Sequence, residues 1–174
     1  FSVWEIWGCW SKGSKLLIVP DEGRKSFDYF ARLLDDEKAT VLNITPSAFY
    51  SLDAMSTSRT FTIRWVIFGG EALQFSNLAN WMRKYEKSCR LVNMYGITET
   101  TVHVTHREIL SRDLLVNSSS IGNPLHDLHS IVVSSTNGRP NPTGIPGELY
   151  VGGGGVTRGY LNRPELTKEK FIEN

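Results

Sequence analysis

Apolar residues recur along the first half of the chain in two alternating patterns, which predict strands followed by helices. Short apolar runs at 40–44, 64–68 and 91–94 predict buried strands. The run at 16–19 also has strand character and precedes a turn signal at 20–23. Helical spacing gives three helices: Phe27, Phe30, Ala31 and Leu34 with Ser26 as cap, the segment Pro46–Met55, and Leu78, Ala79, Met82 and Tyr85 with Ser76 as cap. Strands that alternate with helices predict an α/β fold, a mostly parallel sheet flanked by helices.

The second half of the chain carries shorter strand signals separated by polar turns. An alternating segment at 128–134 and an apolar segment at 148–151 predict two strands. A polar loop is expected at 117–120, and Thr167 has the character of a helix start. These signals predict a small antiparallel β region after the parallel sheet.

The length of 174 residues allows one sizeable core. We divide it into an α/β subdomain at about 1–108 and a β-rich region at about 109–174. At this boundary the alternation of strand and helix patterns gives way to short strand signals and polar turns. The chain starts at Phe1 without a methionine and stops soon after the expected helix start near its end. We therefore expect an internal piece of a longer polypeptide.

Charge and cysteine usage exclude several classes of function. The 19 basic and 18 acidic residues give a net charge of +1 without a basic block, which argues against a nucleic-acid partner. No apolar run approaches the roughly 18 residues that would span a membrane. Cys9 and Cys89 lie far apart, which favours reduced thiols and a cytoplasmic location.

The segment NMYGITETTVHVT at 93–105 carries the strongest chemical signal. Tyr95 offers a flat aromatic face, and Gly96 allows a tight turn. Thr98 brings a hydroxyl, and Glu99 brings a carboxylate able to hold a hard cation such as Mg²⁺. This set suits a nucleotide and its metal, although alone it is also compatible with an ordinary strand-to-loop junction.

Two other patterns do not indicate a site. The glycines at 152–155 lack the helix start and the Lys-Ser/Thr ending of a phosphate loop, so they predict a tight strand-to-turn passage. The histidine pairs His103/His106 and His126/His129 lack a convincing helix and a completing acid or cysteine. We therefore expect no metal on these histidines.

Four segments together resemble the adenylation domains of nonribosomal peptide synthetases, within the adenylate-forming enzyme superfamily. They are FSVWEIWG at 1–8, NMYGITE at 93–99, GELYVGGGGVTRGYL at 147–161 and RPELTKEKFIEN at 163–174. The resemblance covers the whole chain and implies part of the large N-terminal domain of that fold. It also implies that the upstream phosphate loop, a ribose-binding aspartate and the lysine of the C-terminal domain lie outside these residues. The fragment alone is expected to be inactive.

The resemblance implies activation of an amino-acid carboxylate by ATP and Mg²⁺, with transfer of the acyl group to phosphopantetheine on a carrier domain. Carrier and condensation domains of the same synthetase are the expected partners. By this resemblance Thr98 and Glu99 would carry the catalytic roles, with Thr98 at a phosphate and Glu99 holding Mg²⁺. The implied nucleotide-binding residues are Gly69, Gly70, Glu71, Asn93, Tyr95, Gly96 and Thr98. Asn93 would reach the exocyclic amine of adenine, and Tyr95 would stack on the ring. The family's usual proline after Tyr-Gly is Ile97 here.

By the same resemblance, the substrate pocket has the signature of a threonine-activating domain. Its residues are Phe1, Trp4, Asn43, Ile67, Gly69, Met94, Val102 and His103. Asn43 and His103 could hydrogen-bond a side-chain hydroxyl, while the apolar residues could meet a methyl group. The alternative is that these two polar side chains satisfy the neighbouring backbone instead.

Two other functions fit the sequence less well. An acyl-coenzyme A synthetase belongs to the same superfamily, but the opening FSVWE disfavours it. A non-catalytic α/β interaction module would keep the scaffold only, and the retention of Tyr95, Thr98 and Glu99 argues against it.

Overall fold

The computed structural model of the protein describes residues 1–55, 58–116 and 119–172. Its α-helices are α1 (Ser2–Trp10), α2 (Asp21–Lys25), α3 (Phe27–Asp36), α4 (Pro46–Met55), α5 (Ala79–Tyr85) and α6 (Pro164–Lys170). Its strands are β1 (Val41–Ile44), β2 (Trp65–Phe68), β3 (Arg90–Tyr95), β4 (Thr105–Ile109), β5 (Asn123–Pro124), β6 (Leu128–Val133) and β7 (Glu148–Gly153). Within the described residues, no helix is long and apolar enough to cross a membrane.

The main sheet confirms the predicted fold class. Its strand order is β1-β2-β3-β4-β5, in which β1, β2 and β3 run parallel and β4 runs antiparallel to β3. Strands β6 and β7 form a separate antiparallel pair, with Leu128 opposite Gly153. The chain therefore has a mostly parallel sheet and a small antiparallel β region, as the sequence predicts.

Aromatic side chains form the centre of the core on one side of the main sheet. The ring of Phe49 on α4 meets the rings of Phe68 and Trp81 edge to face, at centroid distances of 4.8 and 5.1 Å. The ring centroids of Tyr85 and Trp81 lie 4.4 Å apart. All four side chains are buried. These contacts hold α4 and α5 against β2.

The predicted face and cap of α5 are partly wrong. A 3₁₀ turn at Phe75–Leu78 precedes the helix, so Ser76 lies inside that turn and does not cap α5. Trp81 is buried, whereas Ala79 is only half-buried. The tighter 3₁₀ spacing rotates the start of the helix relative to a continuous 3.6-residue pattern.

Predictions in two other places differ from the structure. The run 16–19 is not a strand, and the turn signal after it opens the short helix α2. Helix α6 begins at Pro164 rather than Thr167, because proline suits the first helical position. The predicted polar loop includes Asn117 and Ser118, which lie outside the described residues.

The described residues form two compact units. Unit 1 consists of Phe1–Tyr95 and Thr105–Asn123, and unit 2 consists of Gly96–Val104 and the chain from Pro124 onward. The main sheet lies mostly in unit 1, and the β6–β7 pair lies in unit 2. The boundary predicted near residue 108 remains a prediction.

A buried ion pair in unit 1 gives a prediction about stability. Asp113 is 7% exposed, and its carboxylate accepts hydrogen bonds from Arg107 Nη2 at 2.5 Å and from the Leu110 N–H at 2.9 Å. Burial opposes ionisation, but these donors outweigh it and lower the pKa of Asp113. We expect Asp113→Asn to reduce the free energy of unfolding by about 2 kcal/mol at pH 7, since Arg107 loses its counter-charge.

Denaturant unfolding of the protein at several pH values would measure this effect. Because the pKa of Asp113 is lower in the folded state, its carboxylate stabilises the fold at pH values above its unfolded-state pKa. This contribution is lost as the carboxylate is protonated, so the difference in unfolding free energy between wild type and variant should shrink below about pH 4. Asp21→Asn is the control, because its pair with Arg24 is exposed and should contribute less than about 0.5 kcal/mol. Equal stability of all three proteins at pH 7 would contradict the prediction.

Candidate functional site

The carboxyl ends of β1, β2 and β3 meet at one edge of the main sheet, where ligands bind in folds of this kind. Gly69 follows β2 directly. A Cβ at this position would lie 2.9 Å from the ring of Phe1 and 3.3 Å from the carbonyl oxygen of Met94. No larger side chain fits there without movement. Unit 1 thus brings together Phe1, Gly69 and Met94, three of the residues assigned to the substrate pocket.

Asn43 on β1 lies beside two side chains of helix α1. Its Oδ1 accepts a hydrogen bond from Trp4 Nε1 at 3.1 Å, and its Nδ2 donates to Glu5 Oε1 at 3.3 Å. Ile67 stands opposite Asn43 in the register of β1 and β2, so the two side chains point to the same face. An amide can make four hydrogen bonds, so Asn43 keeps capacity for a ligand. No pattern in the sequence singles out Glu5.

The loop after β2 is anchored by the side chain of Glu71. Its carboxylate accepts the Ser47 N–H at 3.0 Å and the Ser47 hydroxyl at 2.9 Å, close to the start of α4. These bonds lower the pKa of Glu71. Gly70, at φ +83°, adopts the left-handed conformation that favours glycine. The nucleotide role predicted for the backbone of residues 69–71 remains a prediction, and the anchor was not foreseen.

Asn93 and Tyr95 occupy the end of β3. Asn93 is 3% exposed, and its Nδ2 donates to the carbonyl oxygen of Ser120 at 2.9 Å. This orientation leaves Oδ1 as an acceptor, the kind of atom that an exocyclic amine requires. Tyr95 is 37% exposed, so part of its ring is accessible. Their predicted contacts with adenine remain predictions.

The loop that follows β3 belongs to unit 2 and is tightly folded. A Cβ on Gly96 would lie 1.9 Å from the carbonyl oxygen of Val102, so only glycine fits. A 3₁₀ turn covers Thr98–Thr100. Thr101 and Val102 then adopt positive φ values of 54° and 73°. Such conformations are strained for β-branched residues and cluster at functional sites.

Within unit 2, Glu99 connects this loop to the segment at 147–161. The Tyr160 hydroxyl donates to Glu99 Oε1, and the Thr157 N–H donates to the Glu99 carbonyl oxygen at 2.8 Å. The Tyr160 hydroxyl lowers the pKa of Glu99, which favours the carboxylate. Two of the four segments that carry the family resemblance, 93–99 and 147–161, are therefore in contact within unit 2. Neither Tyr160 nor Thr157 was assigned a role from the sequence.

The donor set at Glu99 fits Mg²⁺. Mg²⁺ in nucleotide sites is held by one or two carboxylates together with phosphate oxygens and water. Among the described residues, no group of three or more acidic, cysteine or histidine side chains could form a cage of protein ligands. Glu99 is half-buried, and Thr98 is an exposed hydroxyl next to it. A single carboxylate that shares its ion with a nucleotide is the arrangement these residues suit.

Val102 and His103, the remaining residues assigned to the pocket, lie in unit 2 and are half-buried. Burial lowers the pKa of His103. This shift favours the neutral imidazole, which can donate one hydrogen bond and accept another. These properties suit recognition of a hydroxyl group.

Comparisons with known proteins show the family to which the chain belongs. A family model described as AMP-binding enzyme matches residues 1–161. A plipastatin synthase from Bacillus subtilis (strain 168) is 49% identical over all of this chain, which covers 7% of that protein. The dimodular nonribosomal peptide synthase of the same organism is 48% identical over 99% of this chain, which covers 8% of it. This chain therefore spans less than a tenth of each of these two relatives.

Solved structures show the same fold. Two crystal structures of the nonribosomal peptide synthetase FmoA3, one of them an AMPPNP-bound form, match with a TM-score of 0.88 and 27% identity. Each match covers 98% of this chain and 19% of the other.

Proposed function

Since the chain belongs to the AMP-binding enzyme family, we propose that it is the part of an adenylation domain that binds ATP and an amino acid, most specifically threonine. The observation that carries this proposal is the contact between the segments 93–99 and 147–161, in which Tyr160 and Thr157 hydrogen-bond to Glu99. The AMPPNP-bound form of FmoA3 and the similarity to a dimodular nonribosomal peptide synthase support it.

The first half-reaction is a displacement at phosphorus. A carboxylate oxygen of the amino acid attacks the α-phosphorus of ATP, the bond to the bridging oxygen breaks, and pyrophosphate leaves. No general base is needed, because the carboxylate is already ionised at neutral pH. The protein's task is to align the two substrates and to balance phosphate charge.

Four residues of the candidate site are given tasks in this step. Tyr95 offers a ring face to adenine, and Asn93 offers an acceptor to its amine. The Thr98 hydroxyl donates to a phosphate oxygen. Glu99 would hold Mg²⁺, which supplies positive charge to the phosphates when it is bound.

In the second half-reaction, a phosphopantetheine thiol on a carrier domain attacks the acyl carbon of the adenylate. A thioester forms, AMP leaves, and the thiol proton passes to solvent. Carrier and condensation domains of the same synthetase are the proposed partners, since one of the named relatives is a dimodular nonribosomal peptide synthase. The cytoplasm suits this chemistry because thiols stay reduced there.

Threonine is proposed from the pocket residues. Asn43 keeps hydrogen-bonding capacity beyond its bonds to Trp4 and Glu5. The lowered pKa of His103 favours the neutral imidazole, which can bond a hydroxyl without introducing a charge. Ile67 and Met94 are apolar and suit the methyl group.

We expect the complete module that contains this chain to catalyse threonine-dependent exchange between ATP and pyrophosphate, and the isolated 174 residues to show none. The reason is that the phosphate loop and the lysine implied by the family lie outside this segment. Measured exchange of labelled pyrophosphate into ATP would decide both. Exchange by the isolated chain would contradict the second expectation.

Two measurements separate the alternative functions. In the exchange assay, dependence on a fatty or aryl acid instead of an amino acid would establish an acyl-coenzyme A synthetase. In a separate ATP-binding measurement, failure of the complete module to bind ATP would support a non-catalytic module.

A further inference from the structure

The carboxylate of Glu99 is held by a residue 61 positions further along the chain. The Tyr160 hydroxyl donates to its Oε1, while the backbone carbonyl of the same glutamate accepts the Thr157 N–H at 2.8 Å. Both the side chain and the main chain of Glu99 are therefore fixed by the segment 157–160. Two such bonds define where the carboxylate points.

Tyr160 is itself fixed by the C-terminal part of unit 2. Its N–H donates to the Thr167 hydroxyl at 2.9 Å, and its ring meets Phe171 edge to face at 5.6 Å. Gly159 makes this approach possible, since a Cβ there would lie 2.4 Å from Thr167 Cγ2. Tyr160 therefore presents its hydroxyl from a position that α6 determines.

The loop around Glu99 needs such support. Thr101 and Val102 have positive φ values, and each residue of this kind costs roughly 1–3 kcal/mol unless its surroundings hold it. The Thr101 hydroxyl donates to the carbonyl oxygen of Gly155 at 2.6 Å, so a third hydrogen bond joins this loop to the segment at 147–161. The segment 155–160 restrains the loop at three points.

We infer that Tyr160 is a positioning residue for the metal-binding carboxylate of Glu99. Its hydroxyl occupies one carboxylate oxygen and orients the other for the cation. The inference rests on the proposed function, in which Glu99 holds Mg²⁺. Hydrogen-bonded partners of metal ligands commonly change metal affinity or activity by about 10–100-fold when removed.

The test compares Tyr160→Phe with wild type in the complete module. This variant keeps the ring packed on Phe171 and removes only the hydroxyl. Tyr150→Phe is the matched control, because it removes a hydroxyl of the same kind from β7 in the same unit. Mn²⁺ is titrated in the presence of AMPPNP and followed by electron paramagnetic resonance. Amide hydrogen exchange of residues 97–103 reports on the loop without the metal.

We expect Tyr160→Phe to weaken Mn²⁺ binding about tenfold and to speed exchange in the loop, with Tyr150→Phe unchanged. Unchanged Mn²⁺ affinity in Tyr160→Phe would overturn the inference, even if loop exchange rises, because Tyr160 would then be only structural. Unchanged loop exchange would overturn it as well. If wild type itself binds no Mn²⁺ with AMPPNP, the proposed function fails, and the metal role of Tyr160 fails with it.

Discussion

The complete module should activate threonine first, serine next and valine far behind. Serine lacks one methyl group, which is worth only about 1–3 kcal/mol in an apolar pocket. Valine is nearly isosteric with threonine but has no hydroxyl, so it cannot form the hydrogen bond that Asn43 or His103 would make in a dry site. Sites built around such a hydrogen bond can reject the analogue by roughly 10⁴-fold.

A substitution at His103 tests which residue reads the hydroxyl. Asn43 already bonds Trp4 and Glu5, so removing the imidazole should take away a large part of the discrimination. We expect His103→Ala to narrow the threonine–valine gap more than the threonine–serine gap. The control is His126→Ala, since His126 is an exposed residue of the same unit.

Amino-acid-dependent exchange of pyrophosphate into ATP, expressed as kcat/KM for each substrate, measures these ratios. If wild type activates valine as well as threonine, the assignment of a polar pocket is wrong. If His103→Ala keeps the full threonine–valine ratio, His103 does not contact the hydroxyl and Asn43 becomes the leading candidate.

The strands and helices that could be predicted are those whose local sequence pattern agrees with their burial. Strands β1 and β2 are mostly apolar because Leu42, Ile44, Val66 and Phe68 are buried in the core. Pro46 marks the start of α4. Helix α1 has no buried residue, so no apolar periodicity shows it. Strand β4 has the sequence THREI, whose polar residues at exposed and half-exposed positions conceal its pairing with β3.

The candidate site also contains residues that the sequence could identify and residues whose roles only the fold reveals. Tyr95, Thr98 and Glu99 could be named from the sequence because their residue types lie together in one short motif. Glu71 and Tyr160 could not be given their roles, because their partners lie 24 and 61 residues away. Only the fold brings such residues into contact, and neither periodicity nor spacing encodes that contact.

Glu99→Gln should reduce adenylation by the complete module by a factor of roughly 10² or more. Glutamine keeps the shape of the side chain but removes the negative charge that would hold Mg²⁺ in the proposed function. Its amide oxygen can still accept the Tyr160 hydroxyl, and the backbone bond to Thr157 is unaffected. The loss should therefore come from the metal and not from an unfolded loop.

Two measurements separate these causes. Exchange of pyrophosphate into ATP at increasing Mg²⁺ should show a raised requirement for the ion, and amide hydrogen exchange of residues 97–103 should stay near that of wild type. Glu165→Gln, an exposed glutamate of α6, is the control and should retain full activity. A rate near that of wild type in Glu99→Gln would show that Glu99 is not the metal ligand. The contacts from Tyr160 and Thr157 would then serve only to hold a strained loop beside the nucleotide.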